Sequence, residues 1–193
     1  MKGIVYRFFQ DYVEETWSAE LVDEMLSLDG LSTEGAFTSV GNYPHDDFVQ
    51  MLAFVADRTN IDLSQLIYNF GEALFHRLAS AHHDVIAGFD SCIDLLAGIE
   101  SVIHRDVRKI YDNTELPRFD VVNIQGKEEI TIQYRSSRPF ADLAHGLIAG
   151  AISYYGLNAS STIIRETPLY YKDNARFRVV FKGKGVKDEV HAN

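Results

Sequence analysis

The stretch Glu128–Phe140, EEITIQYRSSRPF, is where the patterning of the chain changes. Ile130, Ile132 and Tyr134 alternate with Thr131, Gln133 and Arg135, the two-residue period of a half-buried strand. The segments upstream repeat at three and four instead. A helical half followed by a strand-bearing half predicts an α+β fold. Continued as a strand, the stretch puts Tyr134, Ser136 and Arg138 on the isoleucine face and turns Arg135 and Ser137 away. Three polar groups would then cover about 13 Å, at about 3.3 Å per residue. A tyrosine hydroxyl, a serine hydroxyl and a forked guanidinium suit one or two carboxylates or phosphates at the edge of a pocket. An exposed strand end with solvated side chains fits the same residues equally well.

Upstream, Ser18 is placed to cap a helix that buries Leu21, Val22, Met25 and Leu26. The segment Gly35–Asp47, GAFTSVGNYPHDD, reads as a loop. Phe48, Met51, Leu52 and Val55 mark a second helix, and Leu63, Leu66, Ile67 and Phe70 a third, with Asp62 as its cap and Gln65 at the capping-box position. One long helix is predicted from about Asp84 to Tyr111, its stripe traced by Phe89, Ile93, Leu96, Ile103, Val107 and Ile110. Downstream, Phe140–Tyr155 reads as a mostly apolar helix in which Gly146 and Gly150 are packing positions. Thr162–Arg165 and Arg176–Phe181 read as strands, with a turn near Asp173 and Asn174. The residues after 183 read as a tail.

The 193 residues carry a formal net charge of −10, and the pI is near 5.1. Nucleic acid and anionic membranes, which need a basic surface, are poor partners for such a chain. The run Leu143–Ile164 is long enough on paper to span a bilayer. Gly156 and Asn158 interrupt it, so a buried helix and a strand are expected. Cys92 is the single cysteine, which leaves no intrachain disulfide and no cysteine-rich zinc site. A reducing, cytoplasmic setting follows. Asp46, Asp47, Glu14 and Glu15 read as solvated charge.

His104, in GIESVIHRDVRKIY, lies at the edge of an apolar helical stripe, beside Leu96, Glu100, Val107 and Tyr111. A half-buried histidine bonded to backbone or water is one reading. A metal ligand is the other: no second ligand stands at i+3 or i+4, but a haem needs only one axial histidine.

Tyr134, Ser136 and Arg138 match the Y-x-S-x-R signature of the haem nitric oxide/oxygen binding (H-NOX) family, related to the sensor domain of soluble guanylate cyclase. The resemblance extends over roughly 1–182. It includes the MKGIV start, FGEALF, the H-x-x-V-x-x-x-Y spacing of His104, Val107 and Tyr111, ELPRF, and the GLIAG helix. It implies one domain over 1–183, with a helical lobe over about 1–62, a haem-cradling lobe of antiparallel sheet and packed helix over about 63–183, and a tail over 184–193. It implies haem b held by His104, with Tyr134, Ser136 and Arg138 on the propionates and Pro117 pressing on the macrocycle.

The same resemblance bears on the gas. Oxygen-binding relatives supply a tyrosine hydroxyl five residues after the motif arginine, where this chain has Leu143. Phe9 and Leu74 stand where such relatives carry Trp and Asn, and Val5, Leu78 and Leu147 complete an apolar set. Bound O2 carries partial negative charge and gains from a donor, and NO needs one far less. The implied function is a non-enzymatic sensor of NO and CO that excludes O2. It would signal by release of His104 to a histidine kinase or a cyclic-di-GMP enzyme, as stand-alone bacterial relatives do. No zinc is expected. Two other classes remain: a haem-free module gripping a small anion, and a haem enzyme with His145 as its acid/base group.

Overall fold

The computed structural model describes residues 1–105, 115–166 and 173–182. Val107, Ile110 and Tyr111, part of the predicted stripe and of the histidine spacing, lie outside them, as does the tail. Helices α1 (Gly3–Thr16), α2 (Ala19–Leu26), α3 (His45–Thr59) and α4 (Leu63–Ala81) come first. Short helices α5 (His83–Ile86) and α6 (Cys92–Gly98) follow, and α6 runs into a π-helical segment, Ile99–His104. Strands β1 (Arg118–Gln125) and β2 (Glu129–Ser136), helix α7 (Ala141–Tyr154), and strands β3 (Ala159–Arg165) and β4 (Asp173–Phe181) complete the α+β fold. The sheet is antiparallel, in the order β1-β2-β4-β3.

The caps fall where the sequence put them. Ser18 Oγ accepts from Leu21 N–H at 3.2 Å and Asp62 Oδ1 from Gln65 N–H at 3.1 Å. The Gln65 side chain does not complete a capping box, because its amide donates to Asn69 Oδ1 at 2.7 Å.

The predicted long helix is interrupted. Gly88 weakens it, and Ser91 starts a new helix by accepting from Asp94 N–H at 3.2 Å. Phe89 folds back onto Gly98, where an added Cβ would lie 2.4 Å from the ring. The loop of the first half also ends earlier than predicted, because His45, Asp46 and Asp47 form the first turn of α3. Asp47 is not solvated: it is buried, and its Oδ2 accepts from the Ser32 hydroxyl at 2.5 Å. Asp173 and Asn174 do not turn the chain but pair with Ser136 and Arg135 across β4 and β2.

Two apolar clusters share α4 and α7. One joins α1–α3 to the Leu66–Leu74 face of α4, with Phe140, Leu143 and Leu147 packed against it. The other joins α6 to the inner face of the sheet, with Ala144, Ile148 and Ala151 from the opposite side of α7. The two helices cross at backbone contact. A Cβ at Gly71 would lie 2.5 Å from Leu143 O, one at Gly146 2.1 Å from Tyr68 O, and one at Gly150 2.7 Å from Glu72 O. No described helix is long and apolar enough to cross a membrane.

Candidate functional site

Strand β2 delivers the first group of residues. Ile130, Ile132 and Tyr134 sit on its buried face, opposite Val179, Phe177 and Ala175 of β4. The Tyr134 ring is edge-on to Phe119 at 5.2 Å and to Phe177 at 5.8 Å. Burial pushes its phenol well above the ordinary value, opposed by a hydrogen bond with Ser136. Arg135 points to the other face and meets Asp120 at 2.6 Å, as the alternation predicts.

Regular strand stops at Ser136, so the 13 Å extended row does not form. The chain bends, and Arg138 N–H donates back to Ser136 Oγ at 3.0 Å. The bend brings Arg138 and Ser137 to the same partner, although the alternation separates them. Ser137 donates to Glu115 Oε1 at 2.6 Å. Arg138 donates to the Glu115 carbonyl at 3.2 Å and to Oε2 at 3.4 Å. The motif arginine and the serine before it therefore already hold one carboxylate. A forked guanidinium and two serine hydroxyls beside a buried phenol are a donor set that fits the carboxylates of a haem.

His104 ends the π-helical segment, an irregularity that often marks functional positions. Its side chain is 13% exposed, and Nδ1 faces Glu100 Oε2 at 3.2 Å. Its ring stands edge-on to Phe119 at 5.5 Å. Phe119 thus links His104 to Tyr134, and Pro117 is half-buried just before β1. An imidazole held at Nδ1 and directed by its helix has the chemistry of a metal ligand through Nε2.

The six apolar candidates join one cluster. Phe9 and Leu74 are fully buried, Phe9 against Phe48 and Phe70. Val5, Leu78, Leu143 and Leu147 are half-buried at the cluster's margin. None of the six carries a hydrogen-bond donor on its side chain. His145 is elsewhere: its ring is edge-on to Tyr68 at 5.1 Å, stacks on Phe177 at 5.7 Å, and bonds Ser161 at 3.0 Å. That position on the sheet side of α7 removes it as an acid/base group for the Leu143–Leu147 side.

Three residues take site roles that the sequence reading does not assign them. Phe119 closes the ELPRF segment, but its ring contacts depend on β1, which has no strand signature in the sequence. Glu115 gave no signal by spacing. Glu100 stands four residues before His104, and that spacing on a helix was the available clue.

The sequence profile of the family described as "Haem-NO-binding" matches residues 2–163. Among solved structures, the Fe(II) unliganded A71G mutant of an H-NOX protein from K. algicida superposes with a TM-score of 0.88. It is 28% identical, with 95% of this chain and 98% of that one covered. The S. oneidensis H-NOX protein in the Fe(II)NO state is 26% identical over 94% and 99% of the two chains, with a TM-score of 0.81. The Shewanella woodyi H-NOX, bound to IWP-051 in the Fe(II)CO state, is 29% identical over 100% of both, with a TM-score of 0.80. The curated proteins include no match.

Proposed function

The chain belongs to the haem-NO-binding (H-NOX) family, and from that premise we propose that it is a haem-based gas sensor, binding NO and CO, excluding O2 and passing the signal to a separate effector. The observation that carries this reading is the carboxylate grip of Ser137 and Arg138 just past the end of β2, the strand whose Tyr134 packs on Phe119, which in turn contacts His104. The S. oneidensis H-NOX protein has been solved with NO and with CO.

Haem b, when bound, would supply an iron with a position open to a diatomic gas. His104 Nε2 would be the residue that holds that iron. Tyr134, Ser136 and Arg138 would hold the propionates, and Pro117 would pack on the ring. Val5, Phe9, Leu74, Leu78, Leu143 and Leu147 line the gas side without offering a donor. A ligand that gathers negative charge finds no stabilisation there, so O2 is disfavoured and NO is not.

The domain reads as one unit over 1–183. Release of His104 would free the segment that carries it and let the helical lobe (about 1–62) shift against the haem-cradling lobe (about 63–183). That is a population shift, and NO must bind the two arrangements unequally to drive it. A cytoplasmic histidine kinase or cyclic-di-GMP enzyme is the effector we infer, with no catalysis in this chain and no zinc.

The Glu115 contact also suits a haem-free module that grips a small organic anion. A Soret band on the purified or haem-reconstituted protein separates the two. The sensor reading expects that band and its shift with NO and with CO. It also expects no stable O2 complex of the ferrous protein in air. A stable oxy spectrum overturns the selectivity, and no Soret band overturns the haem itself.

A further inference from the structure

The carboxylate of Glu100 has two separate contacts on one oxygen. Oε2 lies 3.2 Å from His104 Nδ1, one helical turn along the chain. The same oxygen accepts from Phe119 N–H at 3.4 Å, across a gap of 19 residues. Phe119 in turn packs edge-on against both His104 and Tyr134, and it pairs with Tyr134 in the sheet. One carboxylate therefore ties the histidine-bearing segment to the strand that borders the motif strand.

We propose that Glu100 is a positioning residue for His104, holding its Nδ1–H and pinning the ring to β1 through Phe119. The inference rests on the haem reading of His104. A ligating imidazole that donates its other N–H to a carboxylate has a fixed tautomer, a fixed ring orientation and a more basic ligating nitrogen. A more basic Nε2 is a stronger ligand. Glu100 thereby sets how firmly His104 is held, and so how readily it lets go. A carboxylate bound to the ring alone would move with the helix. This one is also bonded to Phe119 N–H, so its position is referred to the sheet and resists displacement of the segment.

The test compares the haem-loaded wild type with Glu100→Gln and Glu100→Ala. Gln keeps an acceptor for both N–H groups and removes the charge, and Ala removes both contacts. Resonance Raman of the ferrous protein reads the iron–histidine stretch directly. The frequency is expected to fall in the order wild type, Gln, Ala. The affinity for haem in Glu100→Ala is expected to drop by about 10–100-fold, the usual effect of losing such a partner. Amide exchange at Phe119 should accelerate in Ala and stay near wild type in Gln. An iron–histidine frequency unchanged in Gln and Ala, with the Soret band intact, overturns the inference while leaving the haem reading standing. A wild type without a Soret band overturns both. If Ala does not fold, the Gln frequency alone decides, because Gln preserves both hydrogen bonds.

Discussion

Leu143 and His145 are two positions apart on α7 and face different environments. Leu143 belongs to the helical cluster, and His145 packs between Tyr68 and Phe177. Leu143→Tyr would add a hydroxyl to the donor-free side. The ferrous variant is expected to hold O2 long enough to record an oxy spectrum, and one as inert in air as wild type would count against that assignment. His145 makes a pH prediction. Burial holds its imidazole below the ordinary value, so the unfolded chain binds the extra proton first as pH falls below about 6.5. Stability is therefore full above that pH and declines as the pH drops toward the folded value. Asp173 acts in the opposite sense, since burial raises its carboxyl and stability is lost as pH rises from about 3.9. Urea melts at about pH 7.5 and 5.5 should show a smaller loss in His145→Gln than in wild type, and equal losses would exclude His145 as the source.

At the scale of elements, α4 and α7 meet through glycines, and the cost of replacing one follows from what surrounds it. Gly146→Ala directs a methyl at the Tyr68 carbonyl and at Gly71 Cα, 2.1 and 2.9 Å from the ideal Cβ. Both obstacles are backbone and cannot rotate away. Overpacking of this kind costs about 1–3 kcal/mol, against a helix-propensity gain of about 1 kcal/mol. The variant is expected to melt below wild type, and an unchanged or higher Tm would show that the helices part without penalty. The packing role of Gly146 and Gly150 was legible in HGLIAG, though not the partner helix, and β2, the two caps and the buried face of Tyr134 were legible because each depends on local period or local hydrogen bonding. What was not legible depends on tertiary context. Strand β1 exposes Val121, Val122 and Ile124 and carries a bulge between Val121 and Asn123, so it lacks an alternating signature. The break after α5 was masked by an apolar stripe that continued through it, since Phe89 packs on Gly98 rather than on the expected face. Ser137 joined Arg138 because the strand ended one residue after Arg135, and period-two counting has no term for that bend.

For the whole molecule, the two apolar clusters are bridged by α4 and α7 and, in the sensor reading, by haem. Removing haem removes a ligand that binds only the folded chain. At free haem about 100-fold above its Kd, that linkage is worth about 2.7 kcal/mol. A chain of this size moves in Tm by about 2–4 °C per kcal/mol. The haem-free protein should therefore melt about 5–11 °C lower. The helix crossing decides the shape of that transition. Because Gly71, Gly146 and Gly150 hold α4 and α7 in backbone contact, neither cluster can lose its share of those helices without exposing the other. Calorimetry of the haem-free chain should show one transition with equal calorimetric and van't Hoff enthalpies. Two resolved transitions would mean that haem, rather than the glycine-packed pair, makes the lobes a single cooperative unit. A signal routed from His104 to the helical lobe would then have to pass through the haem edge instead of through α4 and α7.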